Sequence, residues 1–176
     1  MSVATQAPFP VPRGLAIALA AIGPVAVGGI LAARAHDVSP MLAAPAIVFG
    51  VVAATGPALY IATAAAGNAP PLAAVIRAFG TALGAFGIAL AGLILPAAFV
   101  AVSSISAATT IAAATCAIAG AGYLGLRRLA AELKAGTSET PIGASLVGGV
   151  VFLTWAVATA AIAGRLWWDL AVEVVS

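Results

Sequence analysis

The sequence predicts an all-α fold, a polytopic membrane helix bundle of about five transmembrane helices. Three observations point there: the scarcity of charge, the abundance of apolar residues, and their grouping into stretches of membrane-spanning length. Seven Lys or Arg and five Asp or Glu make up 7% of the 176 residues, against about 25% in soluble domains. A hydrophobic fraction of 64% and a mean hydropathy of +1.20 leave too little polar surface to cover a core in water. The solvent for most of this chain is therefore lipid.

A helix crossing a hydrocarbon core about 30 Å thick needs about 20 mostly apolar residues. Five stretches reach that length: 14–33, 41–66, 78–102, 106–126 and 145–164. The first follows Arg13 and ends at the polar group Arg34, His36 and Asp37. Its length exceeds the apolar core of a secretory signal, which runs to about 15 residues, so it is expected to remain as a helix. The fourth is diluted by Ser106, Thr109, Thr110 and Thr115, and four spans is the alternative count. Yet no charge occurs from Ala78 to Leu126. A hairpin turning at Ser103 and Ser104, whose hydroxyls can satisfy freed backbone groups, is the arrangement that leaves no apolar stretch in water.

Between spans, Pro70 and Pro71 signal a helix start, predicting a short interfacial helix over 72–79 that leads into the third span. The basic loop 127–144 opens as a helical continuation through Lys134 and ends in turn residues from Gly136 to Pro141. Pro24, Pro57 and Pro96 fall inside three spans and predict kinks. Trp167 and Trp168 open the tail 165–176 and read as interfacial anchors, with Arg127 and Arg128 as their basic counterparts at the other face.

Orientation follows from the basic residues. With five spans, Arg13, Arg77, Arg127, Arg128 and Lys134 share one side, and Arg34 and Arg165 the other. The positive-inside rule then places the N-terminus in the cytoplasm and the C-terminus outside. The Ala- and Gly-rich wording suggests a bacterial inner membrane.

Helices in lipid associate where small residues let their backbones approach. Gly80 and Gly84 form a GxxxG at the entrance to the third span, and Ala156, Ala160 and Gly164 form a small-residue stripe on the fifth. These are the candidate faces for packing within the bundle, for a partner subunit, or for a homo-oligomer.

Catalytic, cofactor and metal sites are not expected. No span carries Asp, Glu, His, Lys or Arg in its interior, which argues against proton-coupled transport. His36 is the single histidine and Cys116 the single cysteine, so haem ligation by paired histidines, CxxC chemistry and an intrachain disulfide are excluded. His36 with Asp37 lacks both the further ligands of a metal site and the nucleophile of a triad. The scattered basic residues form no nucleic-acid footprint. Thr109, Thr110 and Cys116 are candidates for a neutral-solute face on the fourth span, beside the simpler expectation that the hydroxyls bond their own helix.

Certain short words add a likeness. Pro57 to Tyr60, Arg77 to Phe79, Gly92 to Pro96, Ser103 with Ser104, Trp155, and Gly164 to Trp167 together resemble small multi-spanning bacterial membrane proteins, with a five-span, N-in layout similar to that of Yip1-type proteins. The resemblance implies a role in membrane organisation and brings no catalytic residues. The function expected is a non-enzymatic accessory, scaffold or assembly subunit, with a channel or carrier component for a small neutral or lipid-like solute as the alternative. A reporter fused after Ser176 is expected to read as external; a cytoplasmic signal would overturn the orientation or the span count.

Overall fold

The structure is a computed structural model that describes residues 13–67, 70–135 and 142–175. These form five helices: α1 (Arg13–Ala35), α2 (Ser39–Ala65), α3 (Leu72–Ser103), α4 (Ala107–Ala135) and α5 (Ile142–Val175). Each is long and apolar enough to cross a bilayer, and among the described residues there is no strand. The protein is an integral, multi-pass membrane protein whose apolar helices meet lipid.

The helices run past the spans read from the sequence. The expected interfacial helix over 72–79 is continuous with the third span, because nothing between Leu72 and Phe79 breaks it. Similarly, α5 carries on through the expected tail to Val175, and Trp167, Leu170 and Ala171 are buried there. That tail is therefore part of the bundle. Gly136 to Pro141, expected to supply turn chemistry, lies outside the described residues. Pro24, Pro45, Pro57 and Pro96 all sit inside continuous helices.

α1 is the axis of the bundle, packing on α2, α3, α4 and α5. Two glycines make that possible. A Cβ on Gly28 would collide with the backbone of Pro40 and Met41 at the start of α2, and a Cβ on Gly87 of α3 would collide with the backbone of Leu19 and Ala20. Hydrophobicity gives helices in lipid little reason to associate, so such backbone approaches supply much of the attraction. Val27, Leu31, Leu90 and Ala114 fill the space between, with Leu31 and Leu90 wholly enclosed.

The turns carry their own polar bookkeeping. α1 ends on His36 in the left-handed region, with φ of 54°. Asp37 then accepts hydrogen bonds from the Ser39 hydroxyl and the Ser39 backbone N–H. The hydroxyl bond, more than the backbone one, holds the Asp37 carboxyl below its usual range. Whatever that turn contributes is thus present above the ordinary carboxylate pKa and is lost as pH falls through the depressed one. At the α3–α4 hairpin, the Ser104 N–H caps Val100 O at 2.9 Å and the Ser104 hydroxyl donates to Ser106 O at 3.3 Å. The uncharged turn at Ser103 and Ser104 is where the sequence placed it.

The packing predicts a contrast between two glycines of α3. Gly87→Val should destabilise the detergent-solubilised protein by about 3 kcal/mol or more, since backbone cannot yield as a side chain can. Gly80→Val, at a position with nothing within 4 Å, should leave the thermal midpoint within a degree or two. Thermal unfolding followed by circular dichroism measures both.

Candidate functional site

Between α2, α3, α4 and α5 lies a half-open cavity of about 440 Å³. Its existence follows from how α5 is attached. α5 packs chiefly on α2 and meets α4 sparsely, held by two tryptophans twelve residues apart. Trp155 Nε1 donates to Thr55 O of α2 at 2.7 Å, and Trp167 Nε1 donates to the Thr115 hydroxyl of α4 at 2.8 Å. An indole N–H away from water needs such a partner. Twelve residues of helix separate the two bonds by about 18 Å.

Small residues occupy the stretch between those bonds. Ala160, Ala163 and Gly164 all line the cavity, and a Cβ on Gly164 would meet nothing within 4 Å. The stripe therefore leaves room where a larger residue would fill it. The far walls are Val48 and Val51 of α2 and Phe79 and Phe86 of α3. Trp155 closes one end, standing edge-on to Phe79 with ring centroids 6.0 Å apart and planes at 85°. The exposed lining residues belong to α4 and α5, among them Tyr123, Ala160 and Gly164. The mouth is thus a cleft between α4 and α5 that faces the bilayer.

Among the described residues, no Asp, Glu, His, Lys or Arg lines the cavity. Its polar groups are hydroxyls and indoles, most of them already engaged. Thr115 passes its own proton to Ile111 O at 2.7 Å. The Thr159 hydroxyl oxygen is buried in the wall of α5 and has no hydrogen-bond partner among the described residues, while Thr55, Thr63 and Thr81 each bond a carbonyl of their own helix.

The residues singled out by sequence divide. Gly84 is buried and Ala156 half-buried, but Gly80 is exposed and open, and Ala160 with Gly164 faces the cleft. Close packing belongs instead to Gly23, Gly28, Gly87 and Gly125. Of the tryptophan pair read as anchors, Trp168 is 64% exposed whereas Trp167 is 9% exposed and turned inward, drawn by its bond to Thr115. Arg127 and Arg128 are exposed, and Arg128 pairs with Glu132 at 2.7 Å. Thr110 is buried, whereas Thr109 and Cys116 are exposed, so these three do not form one face.

Arg34 leaves the loop cluster in which the sequence placed it. Its guanidinium donates to Ser104 O and, at 3.4 Å, to the Thr110 hydroxyl, tying the end of α1 across the α3–α4 hairpin. Among the described residues, no group of three or more His, Cys, Asp or Glu gathers as a metal site would require. Sequence reasoning passed over Trp155, Thr115 and Tyr123 as site residues. A tryptophan in mid-span was the available signal for the first, because its N–H must turn inward to find an acceptor.

Compared with family models, curated proteins and solved structures, the chain matches none.

Two substitutions test the polar geometry. Arg34→Gln removes a charge-assisted bond and should lower stability by roughly 1–3 kcal/mol. Thr159→Val keeps the shape and removes an unpaired hydroxyl, so it should raise stability by about 1 kcal/mol. Thermal midpoints in a single detergent give both signs.

Proposed function

We propose that the protein is a non-enzymatic membrane protein that receives a lipid-like molecule from the bilayer into the cleft between α4 and α5. The observation that carries this reading is the cavity itself, apolar, lined among the described residues by no acidic, basic or imidazole side chain, and open on the side that meets lipid. Its volume lies within the range of ligand sites, about 300–1,000 Å³. A charged solute would lose its hydration there with no compensating partner, whereas a hydrocarbon chain loses nothing on leaving one apolar environment for another. The role is that of a carrier or lipid-binding component, and the distribution of basic residues supports placing the Arg127 loop on the cytoplasmic side of a bacterial inner membrane.

An accessory or scaffold role is the second reading, favoured by Gly80, which is exposed and where an added Cβ would meet nothing within 4 Å among the described residues. The two are compatible, since a subunit can hold a lipid. The cleft nevertheless weighs more, because the glycines that do make close contacts serve this chain's own helices.

Tryptophan quenching measures the first reading. In a Trp168→Phe background only Trp155 and Trp167 report, and both line the cavity. Phosphatidylcholine brominated on its acyl chains should quench them, and Gly164→Phe, which fills the cavity, should remove half or more of that quenching. Quenching that Gly164→Phe leaves unchanged would count against a lipid-accepting cleft.

A further inference from the structure

The cleft has two unlike ends. At the Trp167 end it closes on the Thr115 bond. Toward the other end, Leu126 and Leu129 of α4 line it, and Arg127 stands on the same turns of α4, outside the lining. Arg127 also follows Tyr123 by four residues, so the two neighbour each other on one edge of α4. Tyr123 both lines the cavity and is 65% exposed, which puts that edge at the mouth. Arg127 is exposed.

Charge at this rim is positive and partly uncommitted. Arg128 is taken by Glu132, while Arg127 has no ion pair among the described residues. Arg77 stands on α3 next to Ala78, which belongs to the same buried cluster as Leu129. It too is exposed and has no ion pair among the described residues. The acidic groups Asp169 and Glu173 lie at the opposite end of α5, beyond Trp167.

Length agrees with one class of occupant. From Arg127 to Thr115 is twelve residues, about 18 Å of helix, which accommodates a single acyl chain lying along α4. A chain whose headgroup sits at Arg127 therefore ends near the Thr115–Trp167 bond.

We propose that the cleft takes one acyl chain of an anionic phospholipid from the leaflet on the Arg127 side, with the headgroup phosphate held by the Arg127 guanidinium. The inference rests on the cleft being a lipid site, and it adds the headgroup class and the leaflet. Guanidinium is the side chain suited to a phosphate at an interface. Tyr123 stands beside it at the level where an amphipathic ring is stable.

The test uses the full chain, Trp168→Phe, in mixed vesicles of phosphatidylcholine and phosphatidylglycerol, with bromine on the acyl chains of one lipid or the other. Brominated phosphatidylglycerol should reach half-quenching of Trp155 and Trp167 at a mole fraction about fivefold lower, the preference expected of one arginine near the surface. Arg127→Gln, an exposed change that leaves the packing untouched, should bring the two lipids to parity while brominated phosphatidylcholine still quenches. Arg165→Gln, at the far end of the cleft, should leave the preference in place. A preference absent from the parent, surviving in Arg127→Gln, or lost equally in Arg165→Gln would overturn the headgroup assignment while the cleft stands as a lipid site. If neither lipid gives quenching that Gly164→Phe reduces, the cleft reading fails and this inference goes with it.

Discussion

The bundle depends on how closely the backbone of α1 approaches its neighbours. At Gly28 and Gly87 there is no space for a side chain, and at those two places α1 is fastened to α2 and α3. Lipid offers a helix as good an apolar environment as another helix does, so burial alone would not hold this arrangement. Fastening comes from dense contact, which needs backbones near each other. α3 then carries α4 through the hairpin at Ser103 and Ser104, and α2 carries α5.

Polar bonds finish what close packing begins, and they are few enough to have individual consequences. Arg34 spans the α3–α4 hairpin by donating to Ser104 O, giving an uncharged turn its nearest cation from another helix. The two indole bonds of α5 act differently, since they fix Trp155 on α2 and Trp167 on α4 and leave the stretch between them standing off. A leucine at position 160 or 164 would fill that gap. Alanine and glycine keep it open, and the cleft is the result.

This arrangement inverts the usual meaning of a small-residue stripe. Gly28 and Gly87 are small because another backbone is there, whereas Ala160 and Gly164 border empty space. Spacing along the chain is identical in kind for both, and in a sequence so rich in alanine and glycine it recurs on every face of a helix. Which stripe meets a partner is decided by the azimuth and crossing of each helix. The same holds for Trp167 and Trp168, adjacent in sequence and about 100° apart on the helix, of which one finds Thr115 and the other stays exposed.

By itself the sequence determined the number of helices, their all-α class, the hairpin at Ser103 and Ser104, and the lack of ionisable groups in the spans. These follow from chain length, hydropathy and the cost of leaving backbone or charge unsatisfied in hydrocarbon, all of which are local properties. Tertiary structure alone decided that Gly87 packs while Gly80 does not. It also brought Arg34 to Ser104, set Trp155 against Thr55 and Phe79, and opened a cleft between α4 and α5 beside Tyr123. Each of those depends on which faces meet, and a helix in lipid carries no apolar-in, polar-out pattern from which that can be read.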